Sequence, residues 1–184
     1  GNYIVVETDP ANTTSVTDVD GIAVNGPNQI QVAISGANVT DQDFLDTGIV
    51  FGAISGTVTA DTDNNDTGDA PLSGVTVTLY TDPNGDGDPA DGIVYASLLT
   101  DGSGAYAFMN LVEGSYVVVE TDLAGYQSLS DGDATADSPA TPADPPNTNT
   151  KDNILAIILA AGETDDGNNF VDEQYGAISG QVLK

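Results

Sequence analysis

The chain has 184 residues, of which 29 are acidic and two are basic, and its formal net charge is −27 at pH 7. The basic residues are Lys151 and Lys184, so the basic surface that nucleic acids and anionic membranes require is missing. The sequence contains no cysteine, histidine or arginine, which excludes disulfides, thiolate metal sites and the usual catalytic triads.

The apolar residues predict a folded protein despite the charge. They make up 39% of the chain, and many are β-branched and regularly spaced, unlike those of a disordered acidic segment. No run approaches the roughly 18 apolar residues of a membrane-spanning helix. The first residues, GNYIVVETD, start directly in a strand-like pattern without a signal peptide, so we expect an internal piece of a longer protein.

Several segments occur twice in the same order. GNYIVVETD at 1–9 returns as GSYVVVETD at 114–122, and GAISGTV at 52–58 returns as GAISGQV at 176–182. The two copies of each segment lie about one domain length apart in the sequence. This spacing predicts tandem domains. The expected parts are the C-terminal half of one repeat (1–51), a complete repeat (52–175) and the first strand of a third (176–184).

Seven stretches of the complete repeat have the period of two that strands require. They are GAISGTVTA, SGVTVTLYT, IVYASLLT, GAYAFMNL, GSYVVVET, NILAIILAA and NFVDEQY. Turn-forming segments separate them, which predicts an all-β fold: a seven-stranded, two-sheet β-sandwich. NILAIILAA has the composition of a short helix as well, but its length and its neighbours favour a strand buried on both faces.

Two acidic loops follow the first two of these strands. In both, oxygen-bearing side chains alternate with other residues, as in the first half of an EF-hand loop, and intervening glycines allow a sharp bend. The candidate ligands are Asp61, Asp63, Asn65, Asp66 and Asp69 in the first loop and Asp82, Asn84, Asp86, Asp88 and Asp91 in the second. Neither loop has the glycine and glutamate that complete an EF-hand, so solvated turns stabilised by Asp and Asn remain the alternative.

Further acidic pairs lie later in the repeat and again in the first part of the chain. Asp131 and Asp133, with Asp122 nearby, are matched by Asp18 and Asp20, with Asp9 nearby; a last group at 164–172 is matched at 40–46. Each is either a ligand set or a polar strand end. Because all donors are hard oxygens, Ca²⁺ is the expected ion rather than a transition metal, and Mg²⁺ would keep more water.

The order of these segments is similar to that of a known family. GAISGTVTADTDNNDTGD, then LSGVTVTLYTDPNGDGD, then GSYVVVETDLAGY resemble an SdrD-type B domain, the calcium-binding branch of the Cna B-type (prealbumin-like) repeats of bacterial surface adhesins. The resemblance covers essentially the whole chain. It implies a β-sandwich, Ca²⁺ in the loops and a stalk role at the cell surface.

Many Cna B relatives carry an intramolecular Lys–Asn isopeptide bond promoted by an acidic residue. The resemblance places Glu120 at the position of that acid, but Ala60 stands where the lysine would be, and the equivalent in the third repeat is Lys184. We therefore expect no such bond in the complete repeat. Glu120 is then a relic of that chemistry, a calcium ligand or an ordinary strand residue, and we expect the last of these.

These observations favour a non-enzymatic, calcium-stabilised stalk repeat of a large extracellular bacterial surface protein, whose partners are neighbouring repeats or identical subunits. One alternative is a filament subunit joined head to tail by strand complementation. Another is an adhesive module using the Pro/Thr/Asp-rich loop 131–153, although that loop lacks aromatic residues. An enzyme built on paired carboxylates is disfavoured, because the acids cluster in turns.

Overall fold

The structure is a computed structural model that describes residues 1–18, 28–133, 147, 149–176 and 179–181, with the side chain of Asp133 left out. The chain forms two compact units, Gly1–Val50 and Phe51–Lys184. None of the described residues belongs to a helix long and apolar enough to cross a membrane.

The described part of the larger unit contains ten strands. They are β5 (Gly52–Asp61), β6 (Ala70–Pro71), β7 (Thr76–Thr81), β8 (Val94–Leu99), β9 (Ala105–Leu111), β10 (Gly114–Thr121), β11 (Tyr126–Asp133), β12 (Ile154–Leu159), β13 (Thr164–Asp165) and β14 (Asn168–Gln174).

These strands form two sheets that face each other. One has the order β12-β10-β7-β8, and all its pairs are antiparallel. The other has the order β11-β14-β5-β13, with β6 and β9 also pairing with β5. The first strand, β5, runs parallel to β13 and β14. Strands from both sheets contribute to one apolar core, so the expected all-β sandwich is confirmed.

Alternation along the strands builds the core. In β7 the residues Val77 and Leu79 are buried while their neighbours are only partly so, and in β10 Tyr116 and Val118 belong to the core. Residues two apart share one face of a strand, so a period of two directs one set of side chains into the sandwich. Phe170 of β14 is the largest of the completely buried side chains.

The segment NILAIILAA forms a strand, β12, which pairs with β10. Leu155, Ile157 and Leu159 are buried, whereas the residues between them are only half-buried. The choice of a strand was right; the expectation of two equally buried faces was wrong, because β12 lies at the edge of its sheet and packs on one side.

All seven expected strands are present, and three more accompany them. β6 and β13 have two residues each, below what a sequence pattern can reveal. β11 has the polar sequence YQSLSDGD, and its last three residues belong to the segment 131–153 that is expected to be a loop. It forms because β14 holds it in antiparallel register from Tyr126 to Asp133, across one bulge.

The smaller unit, Gly1–Val50, contains β1 (Asn2–Val6), β2 (Thr13–Asp18), β3 (Gln29–Ala33) and β4 (Phe44–Gly48) among its described residues. β1 pairs with β3 as β10 pairs with β12, and the pair Asn2↔Ala33 corresponds to Ser115↔Ile158 when the repeated segments are superimposed. β2 pairs with β4 as β11 pairs with β14. Even the bulge recurs, between Ser15 and Thr17 and between Ser128 and Ser130.

Candidate metal centres

The first acidic loop begins at the end of β5 and folds around Asp61. This carboxylate is buried, with Oδ1 accepting the N–H groups of residues 63, 64 and 65 and Oδ2 accepting that of Asp66 at 2.8 Å. The loop is tight, because Asn64 and Asp66 both adopt positive φ. Burial acts to raise the pKa of Asp61, but these four N–H donors outweigh it and lower the pKa below its ordinary value.

Three carboxylates of this loop converge. Asp61, Asp63 and Asp69 each place one oxygen within 4.8 Å of the others. Asp69 also accepts hydrogen bonds from the backbone and hydroxyl of Thr62, at 2.9 and 3.0 Å. Asp66 is not in the converging group, and Asn65 accepts from Thr67 within the loop. The loop therefore assembles part of the expected ligand set.

The second loop repeats this construction at the end of β7. Asp82 is buried, and its two oxygens accept the N–H groups of Gly85 at 2.8 Å and Gly87 at 2.9 Å. Both glycines have positive φ, near +75°, which a side chain at either position would disfavour. The loop thus turns tightly around one carboxylate.

A series of i to i+2 hydrogen bonds continues along this loop. Asn84 accepts the N–H of Asp86, Asp86 that of Asp88, and Asp88 that of Ala90, at 2.9–3.0 Å. These are the Asx turns of the alternative interpretation, and they occur together with convergence of Asp82, Asp86 and Asp91 within 4.8 Å. Burial first, then the charges of Asp86, Asp82 and Asp88, raise the pKa of Asp91.

The remaining expected ligands are less concentrated. Asp131 is buried on β11, where it accepts hydrogen bonds from the side chain of Asn147 and from the backbone of Asn153. Burial is the main reason that its pKa is raised. Asp18 is buried at the end of β2. Asp20 and the side chain of Asp133 lie outside the described residues.

A further carboxylate group lies where the two sheets meet. Glu120 on β10, Asp122 just beyond it and Asp172 on β14 each place one oxygen within 4.8 Å of the others. Burial first, then the charges of Asp172 and Asp122, raise the pKa of Glu120 to about 9. Burial and the charge of Asp122 raise the pKa of Asp172 to about 7.

This group was missed as a unit by sequence reasoning. The sequence favours an ordinary strand role for Glu120 over a ligand role, and it places Asp172 in a separate acidic segment. The available signal was the repetition of VETD at 6–9 and 119–122, together with FLD at 44–46 and FVD at 170–172. The two segments come together because β14 belongs to the sheet that faces the sheet of β10. Ala60 stands opposite Asp172 in the register of β5 and β14.

Comparison with known proteins gives a family. Residues 52–170 match the family described as the SdrD B-like domain. No curated protein matches the chain.

Three similar solved structures are pilins. They are GBS52, the minor pilin of Streptococcus agalactiae (18% identity, 85% of this chain and 57% of that one, TM-score 0.44), the shaft pilin SpaA of Lactobacillus rhamnosus GG (15%, 70% and 52%, 0.40) and the group B streptococcus pilus 2b backbone protein (15%, 92% and 52%, 0.41). The chain spans about half the length of these proteins.

Proposed function

Because the chain belongs to the SdrD B-like domain family, we propose that it is a non-enzymatic structural module of an extracellular bacterial surface protein, a stalk repeat stabilised by calcium. The observation that carries this proposal is the convergence of three carboxylates in each of two loops at consecutive strand ends. Carboxylate oxygens are the ligands that Ca²⁺ takes in proteins, and the chain offers few cations of its own.

Calcium would stabilise the sandwich by neutralising charges that otherwise repel one another. Extracellular modules bind Ca²⁺ with dissociation constants of about 10⁻⁴–10⁻³ M. An ion present at about 100 times its dissociation constant stabilises the folded state by about 2.7 kcal/mol per site. Since domains are stable by only about 5–15 kcal/mol, two occupied loops would decide how much of the module is folded.

The proposed arrangement is tandem. Residues 1–51 would be the C-terminal half of one repeat, 52–175 a complete repeat and 176–184 the first strand of a third. The shared strand register of the two units supports this division. Neighbouring repeats are then the first expected partners of the module.

The filament alternative has one observation in its favour, the exposure of β1. Tyr3 and Ile4 are 57% and 59% exposed, whereas their counterparts Tyr116 and Val117 are 3% and 0% exposed. The counterparts are covered because β7 pairs with β10 and the second sheet packs below. Strands from a neighbouring repeat or from a second copy would cover β1 in the same way.

Thermal melting with and without calcium tests the proposal. We expect the chain to melt several degrees lower in EDTA than in about 1 mM Ca²⁺, a concentration matched to extracellular affinities. In the variant Asp86→Asn/Asp91→Asn, two exposed ligands become neutral without loss of volume, and the calcium-induced rise should shrink. Glu113→Gln removes a charge from an exposed position outside the clusters and should melt like wild type. Identical curves in EDTA and calcium would contradict the proposal.

A further inference from the structure

The carboxylates of Glu120, Asp122 and Asp172 form a group that differs from the acidic loops in its burial. Glu120 is 3% exposed and Asp172 is completely buried. Both oxygens of Glu120 and both oxygens of Asp172 lack a hydrogen-bond partner. In the loops, by contrast, the buried carboxylates of Asp61 and Asp82 accept backbone N–H groups.

Four unpartnered carboxylate oxygens are expensive to bury. An isolated buried charge is strongly destabilising, so such groups are paired, protonated or bound to a metal ion. Lys151 is exposed, and Ala60, opposite Asp172, carries no charge. Within the part of the chain that the structure describes, no lysine neutralises the group, so it requires protons or a bound cation.

The geometry fits a calcium ion. Oxygens that share one Ca²⁺ at 2.3–2.6 Å are at most about 5.2 Å apart, and those of the three carboxylates already lie within 4.8 Å of one another. Asn153 holds the carboxylate of Asp122 in place by donating a hydrogen bond from Nδ2 to Asp122 Oδ1 at 2.7 Å. The carbonyl oxygen of the same Asn153 amide is buried and without a hydrogen-bond partner.

The same constellation is built a second time in the smaller unit. Glu7, Asp9 and Asp46 also place one oxygen each within 4.8 Å of the others. Asn28 donates to Asp9 Oδ1 at 2.8 Å, as Asn153 does to Asp122. In both units the backbone N–H of the glutamate also bonds to the carbonyl of this asparagine, at 3.1 and 3.0 Å. The same three acids and the same hydrogen bonds are thus retained in both repeats.

We propose that Glu120, Asp122 and Asp172 bind a calcium ion that joins the two sheets of the sandwich. Glu120 and Asp122 belong to the end of β10 in one sheet, and Asp172 belongs to β14 in the other. The ion replaces protons on the buried acids and supplies a bond between the sheets. This site is independent of the acidic loops, and neither proposal requires the other.

Calcium counting on the whole chain tests the site. After equilibrium dialysis against about 1 mM Ca²⁺, bound calcium per chain is measured by mass spectrometry for wild type, Glu120→Gln and Asp172→Asn. Each variant should lose one ion, and the matched control Glu113→Gln, an exposed residue, should lose none. The loop variant Asp86→Asn/Asp91→Asn should keep this ion, so failure of one proposal is distinguishable from failure of the other.

Melting curves give a second readout. In EDTA, Glu120→Gln should melt at or above the temperature of wild type, because it removes a buried acid; in calcium it should melt below wild type. This reversal of sign is not expected of a purely structural residue. If the variants bind as many ions as Glu113→Gln, or if the difference from wild type is the same in EDTA and calcium, the acids are held by protons alone and the proposal is wrong. Should Glu120→Gln fail to fold in EDTA, the burial argument fails with it.

Discussion

At the scale of single residues, the two kinds of buried acid behave differently. Asp82 and Asp61 accept hydrogen bonds from backbone N–H groups of their own loops. Removing Asp82 would therefore destabilise the loop even in EDTA, which makes Asp86 and Asp91 the better positions for a calcium test. Glu120 and Asp172 have no such donors, and whether they are protonated depends on whether a cation is bound to the group.

The raised pKa values predict how the metal-free protein responds to pH. The pKa of Glu120 rises from 4.5 to about 9 and that of Asp172 from 3.8 to about 7. Between the unfolded and folded pKa values the folded chain binds more protons than the unfolded chain, so the free energy of unfolding falls as pH rises. In EDTA the protein should melt higher at about pH 5 than at about pH 8.

The variant Glu120→Gln should reduce this pH dependence, since it removes the larger shift, whereas Glu113→Gln should retain it. Asp61 and Asp101, whose pKa values are lowered, act in the opposite direction and only at more acid pH. Melting temperatures in EDTA across this range measure the effect. A melting temperature that rises towards pH 8 would contradict the assignment of Glu120 as a buried acid.

Sequence reasoning grouped the acids of each loop but did not group Glu120 with Asp172, and the reason is physical. Asp61 and Asp82 lie in local turns, so their neighbours in sequence are also their neighbours in space. Glu120 and Asp172 meet only because two distant strands face each other across the sandwich. Within each loop, three carboxylates converge because of the backbone turns, and the spacing of the residues in the sequence does not define those turns.

At the scale of elements, β5 is the strand on which the six-stranded sheet depends. It pairs with β6, β9, β13 and β14. Its Gly56 lies so close to β14 that an added Cβ would be 1.7 Å from the carbonyl oxygen of Asn168 and 2.8 Å from Tyr106 Oη. That carbonyl also accepts the hydroxyl of Tyr106 at 2.7 Å. The glycine is therefore required for close strand packing.

Gly56→Ala should destabilise the larger unit by about 3 kcal/mol or more, because the backbone of β14 would have to move and the Tyr106 hydrogen bond would be strained. Gly102→Ala is the matched control, since nothing lies within 4 Å of its added Cβ, and its effect should stay within about 0.5 kcal/mol. Urea denaturation measures both changes. Equal effects of the two substitutions would show that the sheet tolerates a side chain at position 56.

The alternation of apolar residues was sufficient to predict the seven main strands, because each has a buried face. β11 was not predicted, because its sequence, YQSLSDGD, has one buried apolar residue, Leu129. Antiparallel pairing with β14 stabilises it as a strand. A strand that is stabilised mainly by pairing with a neighbour shows little apolar alternation in its own sequence.

At the scale of the whole molecule, the exposed β1 strand predicts what the smaller unit lacks. A second copy of residues 52–113 placed before Gly1 should supply strands equivalent to β5 and β7. These would pair with β4 and β1 as β5 and β7 pair with β14 and β10. Hydrogen exchange measured by mass spectrometry should then show slower exchange of the β1 amides.

A fused copy that carries Val77→Asp provides the control for this experiment. Val77 is completely buried, so the substituted copy should not pack and β1 should exchange as in the unextended chain. Unchanged exchange with the intact copy would contradict the tandem division of the chain proposed above.

The parallel pairing of β5 with β14 also determines how the larger unit responds to mechanical force. Its first and last long strands lie side by side, with Phe170 to Glu173 opposite Val58 to Asp61. Tension applied at the start of β5 and the end of β14 pulls them in opposite directions along one axis. The bridging hydrogen bonds are then loaded in shear, all at once, and do not open one after another as in a hairpin that is peeled apart. A module strung between two anchors would thus resist extension along the line of pull.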